Sequence, residues 1–486
     1  VERYTKIVAT IGPAVGSPEG VMSLIEAGID VARLNFSYGD HEVHQRYAEW
    51  VRAGAAATGR NVALLQDVQG PKLRVGSFPG GSLVLSPGST VRCFQGRVLS
   101  EEPDKIFVDY PYLLEDVEVG EDLLLADGLI HLVATAKKED HLEARVVVGG
   151  PLGDGKGVAF PRTNLRMAAI TEKDELDLKF GVELGVDWVA ASFVRNASDV
   201  RRVKELAGPA PVIAKIELAA AYENLDEILT EADGVMVARG DLGVQLPLER
   251  IPLIQADILR RANAAGTITI TATEMLESMT HSSRPTRAEV TDVANAVLAG
   301  TDAVMLSAET AAGAHPRAAV EAMARICATV ESETSKNTVV QSYLNQQAAV
   351  ASAIAQAAVD AAANLSCDTI VAFTESGSTA RLLSKYRPNA RIVGFTPVET
   401  TRRRMALYRG VVAYPFERRD YTDHMIAAAE KFLEKEKLSR RGDTVVMVAG
   451  IPPNQQAATN LLKIHVIGDR DGGVVSQRSG RMSPEK

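Results

Sequence analysis

Residues 234–247 read GVMVARGDLGVQLP. Gly234 to Ala238 is a short apolar run of the kind that fills a strand buried on both faces. Arg239, Gly240 and Asp241 follow with no polar spacer. A surface turn accounts for a Gly-Asp pair. So does a strand whose end opens into an active site. The rest of the chain has to decide between them.

Runs of the same kind recur at 6–12 (KIVATIG), 30–36 (DVARLNF), 61–68 (NVALLQDV), 187–193 (DWVAASF), 211–217 (PVIAKIE), 267–275 (TITITATEM) and 302–310 (DAVMLSAET). Amphipathic stretches such as 17–28 and 171–185 lie between most of them. Eight buried strands alternating with helices predict an α/β fold, a (β/α)8 barrel. A Rossmann sheet would want G-x-G-x-x-G after the first strand, where the chain has Thr10-Ile11-Gly12-Pro13. The alternation breaks at 72–165, a stretch of short alternating runs rich in Gly, Pro and Val that predicts an inserted small β-barrel domain. The barrel is thus expected over 1–71 and 166–338. A separate α/β domain is expected over 339–486, with candidate strands DTIVAFT, RIVGFTP, VVAYPF and DTVVMVAG. The polar segment 331–347 carries the chain into it, and the polar tail after residue 469 reads as frayed.

The 486 residues carry a net charge of −9 with no long basic block, which argues against a nucleic-acid surface. Cys93, Cys327 and Cys367 lie far apart in no metal-ligand spacing. That argues against a disulfide framework or zinc site and fits a reducing cytoplasm. The first residues lack the apolar core of a signal peptide, and no run reaches membrane-spanning length.

A barrel of this type gathers its active site at the C-terminal ends of its strands. The ends carry Arg33, Asn35 and Ser37, then Asp67 running into Lys72 and Arg74, then Ser192, Lys215 with Glu217, Arg239 with Asp241, Thr273 with Glu274, and Ser307 with Glu309. Seven polar ends out of eight favour a functional mouth over a single surface turn. Glu217 and Asp241 end neighbouring strands and offer hard oxygen ligands suited to Mg2+ or Mn2+. A salt bridge with Lys215 or Arg239 is the alternative for that pair. Lys215 and Glu217, two apart on a strand, face the same way. A cation beside a metal carboxylate suits a phosphoryl group in transit, and Arg33 and Arg74 add forked donors for phosphate. GPLGDGKG (150–157) imitates a phosphate-binding loop, but Gly157 stands where the metal-binding hydroxyl belongs and no helix follows.

The runs TKIVATIGP, RLNFSYG, DVQGPKLR, AKIE, MVARGDLGV, TATEMLESM, PTRAEVTDVANAVLAGTDAVML and SAETAAG, in this order, resemble the pyruvate kinases. The resemblance covers the barrel, the insert and the C-terminal domain. It implies transfer of the phosphoryl group of phosphoenolpyruvate to ADP, giving pyruvate and ATP, with Mg2+ or Mn2+, in a homotetramer whose insert forms a lid. By motif it implies that Lys215 stabilises the transition state and that Glu217 and Asp241 hold the divalent metal. Arg33, Gly240 and Thr273 line the substrate, with Lys215 and Asp241 beside them and Thr273 near the proton path to the enolate. Asn35, Phe36, Ser37, Tyr38, Arg74 and Lys156 correspond to nucleotide contacts, and Ser307 and Glu309 to a proton-relay region. Asn35, Ser37 and Asp67 match a monovalent-cation pocket. There Lys72 and Val68 replace the family's usual Glu and Thr, so a tethered ammonium paired with Asp67 is expected to make K+ unnecessary. Thr374, Ser376, Ser378 and Thr379 in TESGSTA match a loop that holds a phosphorylated allosteric effector. GIPPNQQAATN, the partner loop, lacks glycines often present there, which favours a monophosphate or nucleotide-like effector over a bisphosphate. Gln245 and Glu274 invert a common Glu/Gln pattern and are expected to share one network tolerating one carboxylate. A metal-dependent lyase or aldolase acting on pyruvate enolates, and a non-catalytic sugar-phosphate sensor, are the competing readings.

Overall fold

Eight parallel strands close into a barrel in sequence order: β1 (Lys6–Ile11), β2 (Val31–Asn35), β3 (Ala63–Asp67), β4 (Trp188–Ala191), β5 (Val212–Ile216), β6 (Gly234–Ala238), β7 (Ile268–Ala272) and β8 (Ala303–Leu306), with β8 pairing back to β1. The computed structural model describes residues 3–163, 165–334, 349–451 and 458–469. All eight expected strands form. They are apolar on both faces because one side fills the barrel and the other packs against helices. Two large apolar clusters cover that helix layer, one around Ile25, Leu34 and Met323, the other around Val203, Ile228 and Ile258.

Local signals set the helix limits. Ser17 and Asp40 cap the helices after β1 and β2 through their side-chain oxygens, and capping boxes at Thr171/Asp174 and Thr286/Glu289 start two more. In β5, period-two alternation puts Lys215 and the residue after the strand's end, Glu217, on one face.

The insert is all-β apart from a single helical turn and a short 3-10 turn. A six-stranded sheet and a two-stranded sheet curl around their own core, which includes Val91, Ile106, Leu123 and Leu132. The chain splits into two compact units, one of Val1–Thr338 with Ala406–Arg409, the other of Val339–Met405 with Gly410–Lys486. The second unit is a five-stranded sheet in the order 411–415, 391–396, 369–373, 444–449, 461–466. Its four parallel strands are those expected. The fifth, Leu461–Val466, runs antiparallel and went unrecognised because it is only half-buried and shows no clean alternation. Most of the linking segment 331–347, and the tail from 470, lie outside the described residues.

Candidate active site

β2, β3 and β5 supply a row of alternating charge. Arg33 Nε donates to Asp67 Oδ2 at 2.6 Å, and Lys215 Nζ lies 3.2 Å from Asp67 Oδ1 and 2.8 Å from Glu217 Oε1. Lys215 also donates to Ser192 Oγ (2.7 Å), and Arg33 Nη1 to Thr10 Oγ1 (2.9 Å). All four charged groups are buried, which is tolerable only because each is paired. Burial works to lower the Lys215 pKa, but Asp67 and Glu217 outweigh it and hold the ammonium above the usual lysine range. Burial works to raise Asp67, and Lys215 with Arg33 overrides it downward. Glu217 differs. Burial raises its pKa, Lys215 offsets only part, and the carboxylate of Asp241 raises it further. The Phe193 N–H holds its other oxygen at 2.7 Å. The Lys215–Glu217 ion pair therefore forms, and it leaves Glu217 still opposed by a second carboxylate.

That carboxylate belongs to the stretch 234–247. The chain leaves β6 straight into a short helix, Arg239–Gln245, with no spacer, and Asp241 sits in its first turn. Lys72 Nζ stands 3.1 Å from Asp241 Oδ1 and 3.5 Å from Asp127 Oδ1 of the insert. This corrects the expected pairing of Lys72 with Asp67. Asp67 is already taken by Arg33 and Lys215, and Gly70 makes a left-handed turn (φ 67°) against Ser192 and Phe193 before Lys72 is reached. A pocket between barrel and insert is lined by Lys72, Asp127, Phe193, Glu217, Asp241 and Gln245 among others. Two mutually repelling oxygen donors on one pocket fit a divalent cation that completes its shell with water and substrate oxygens. No cluster of three or more His, Cys, Asp or Glu suited to a metal occurs among the described residues, so protein alone would supply only part of such a shell.

Thr273 closes the mouth at β7. It and Glu274 are both left-handed (φ 66° and 52°), a conformation costing about 1–3 kcal/mol each for non-glycine residues. The Gly240 N–H donates to Thr273 Oγ1 at 2.9 Å, and that hydroxyl donates to the Ala272 carbonyl at 2.7 Å. Arg239 does not face the mouth. Its guanidinium bonds the carbonyls behind Thr273 and pairs with Asp292 at 2.6 Å.

Other expected residues are placed less centrally. Phe36 is buried and stacks on His44 (4.0 Å between centroids), so its ring belongs to the core, while its carbonyl accepts from Lys173. Tyr38 is exposed. Asn35 Oδ1 accepts from the Ser37 N–H at 3.1 Å, which uses that oxygen within the loop. Arg74 bonds the Gly155 carbonyl at 3.0 Å, and the Lys156 carbonyl accepts from Val75. These two residues thus meet within the insert, near where it leaves the barrel and outside the pocket lining. Glu309 is fully buried and accepts from the N–H groups of Leu276 and Ser307, which makes it a tie between two loops, whereas the Ser307 hydroxyl is buried without a partner. Gln245 lines the pocket, but Glu274 is exposed and its charge is felt by Glu277, so the structure does not support a shared network.

In the second unit, Thr374 Oγ1 accepts from the Gly377 N–H (2.8 Å), and Thr379 is buried against Thr459 (2.8 Å). Only Ser376 and Ser378 of the four expected hydroxyls are exposed, before and at the start of the helix Ser378–Lys385. Residues 452–457 of the partner loop lie outside the described residues.

Sequence reasoning missed the Phe193 N–H, Thr10 and Asp127. Only the lid position of Asp127 left a trace, its neighbourhood in the turn-rich ADG at 126–128.

A barrel with a β insert after its third strand, a buried lysine between carboxylates and a pocket lined in part by Glu217 and Asp241 define an enzyme for an anionic substrate. Residues 2–320 match the family model for the pyruvate kinase barrel domain, and 352–465 that for the pyruvate kinase alpha/beta domain. The pyruvate kinase of Geobacillus stearothermophilus is 45% identical over 96% of this chain and 81% of its own length. That of Mycobacterium tuberculosis is 42% identical over 96% and 99%. The crystal structure of a pyruvate kinase from Cryptosporidium parvum superposes with a TM-score of 0.89 at 36% identity, covering 96% of each chain. The chain belongs to the pyruvate kinase family, phosphotransferases of glycolysis.

Proposed function

We infer that the protein transfers the phosphoryl group of phosphoenolpyruvate to ADP, giving pyruvate and ATP. The observation that carries this is Lys215, whose buried ammonium lies between Glu217 and Asp67 beside the Glu217–Asp241 pocket. Glu217 and Asp241 would hold Mg2+ or Mn2+, which when bound neutralises charge on the phosphoryl oxygens. Lys215 stabilises the phosphoryl group in flight, where its charge counts most. Arg33 orients the substrate, itself fixed by Asp67 and Thr10. The enolate left behind takes a proton at carbon by a path past the Thr273 hydroxyl. The insert acts as a lid that excludes water and protects the phosphoryl group from hydrolysis. Arg74 and Lys156, with the loop Asn35–Tyr38, contribute to nucleotide binding.

The reading includes independence from K+. Lys72 supplies a fixed positive charge in the mouth, though through Asp241 in place of Asp67. The loop 374–379 takes the phosphate of an allosteric effector through its exposed hydroxyls and backbone N–H groups. The working form is a cytoplasmic homotetramer, which sedimentation of the purified chain tests. No helix among the described residues is long and apolar enough to cross a membrane. The test of the whole reading is ATP formation from phosphoenolpyruvate and ADP with Mg2+. Aldol cleavage or condensation in its place would favour a lyase, and inertness a sensor.

A further inference from the structure

Arg239 opens the polar run Arg239-Gly240-Asp241, yet it points to the back of the mouth. Its Nη2 donates to the carbonyls of Thr273 (2.6 Å) and Glu274 (3.2 Å), and its Nε approaches those of Ala272 and Thr273 (3.2 Å each). Nη1 reaches both oxygens of Asp292, at 2.7 and 2.6 Å, on the helix Arg287–Leu298. One planar fork therefore gathers three successive carbonyls and is itself gripped from behind. Those carbonyls belong to the left-handed turn at Thr273 and Glu274, where a β-branched threonine is especially disfavoured. The conformation needs outside support, and Arg239 supplies it at the carbonyls of the turn. From the front, the N–H of the next residue, Gly240, fixes Thr273 Oγ1. Consecutive residues thus hold Thr273, Arg239 by the backbone carbonyls of its turn and Gly240 by the hydroxyl.

We propose that Arg239 is a positioning residue for proton delivery, setting the Thr273 hydroxyl beside the enolate carbon and acting on the reaction only through it. The inference rests on the reading that Thr273 lies on the proton path. In that step the enolate gains a C–H bond at its methylene carbon as an O–H bond, ultimately of solvent, gives up the proton. The positive charge alone is insufficient, because an ammonium donates from a single point and cannot span the three carbonyls and Asp292 together as the planar fork does.

The test is a double-mutant cycle of Arg239→Lys and Thr273→Ala. It is read by exchange of pyruvate methyl protons with deuterated water in the presence of Mg2+ and ATP, alongside kcat and KM. Arg239→Lys should lower exchange and kcat about tenfold with KM for phosphoenolpyruvate little changed, and should add nothing in the Thr273→Ala background. Asp292→Asn, which keeps the fork but loosens it, should give a smaller loss of the same kind and serves if Arg239→Lys fails to fold. Additive losses, or a loss confined to KM, would overturn the role of Arg239 while leaving Thr273 in place. Normal exchange in Thr273→Ala would instead overturn the reading of Thr273 and this inference with it.

Discussion

Lys215 and Lys72 each stand between two carboxylates of the same mouth, and they are built for different work. Lys215 rises from a central strand, and its partners Asp67 and Glu217 are almost wholly buried. Lys72 lies where the chain leaves the barrel for the insert. Its side chain is 29% exposed, and its partners Asp241 and Asp127 are 32% and 64% exposed. For both, burial works to lower the pKa and neighbouring carboxylates raise it above the ordinary value. The difference lies in what could replace them. A dissolved cation cannot take the place of Lys215 without dismantling a buried network. The place of Lys72 is open to solvent, where interactions are screened and a dissolved cation can substitute.

The most severe way to break this comparison is Lys215→Met. Its kcat should fall about 100- to 1,000-fold, the range for loss of one preorganised electrostatic group. Binding of phosphoenolpyruvate and Mn2+, measured directly, should stay within a few-fold. Near-normal kcat would remove Lys215 from its role.

A milder effect is expected at Lys72. Turnover of the native protein in tetramethylammonium buffer should not rise when KCl is added at constant ionic strength. Lys72→Met should lose about tenfold, about 1.4 kcal/mol of barrier, and recover with KCl. A tenfold stimulation of the native protein by K+ would show that the lysine does not replace the ion.

These two lysines also mark what the sequence made legible. Strands apolar on both faces are a strong signal, so the barrel and its insertion point could be read from composition and spacing. Period two put Lys215 and Glu217 on one face because β5 stays regular to its end. The same reasoning failed at β6. There the helix begins at Arg239, the period changes, and Arg239 turns behind the mouth while Asp241 faces it. At β7, nothing in a Thr-Glu pair announces two left-handed residues. At β3, the partner of Lys72 was hidden by the turn at Gly70, whose direction sequence spacing does not specify. Regular elements were readable, and the departures from them, where tertiary contacts override local preference, were not.

Gln245→Glu adds a fourth carboxylate to the pocket that Asp127, Glu217 and Asp241 line and should weaken Mn2+ or substrate use by a few-fold. Glu274→Gln, at an exposed site, should be near neutral. The double mutant should be additive within about 0.5 kcal/mol. Rescue of the first change by the second would restore the shared network that the inverted Gln/Glu pattern suggested.

Asp127→Asn should have the smallest effect and sharpens the contrast most finely. It leaves the Lys72–Asp241 contact at 3.1 Å intact and removes only the negative charge at the 3.5 Å contact to the insert. Asp127 is largely exposed, and exposed pairs contribute about 0–1 kcal/mol because water solvates and salt screens them. Turnover and thermal midpoint should therefore shift little, less than about twofold in rate, and whatever shift there is should fade at high salt. K+ independence should persist, since the ammonium keeps its partner on the barrel. If Asp127→Asn instead made the protein depend on K+, Lys72 would owe its placement to the insert. The mouth would then have its fixed cation only with the insert in place, and the contrast with Lys215 would be one of assembly as well as exposure.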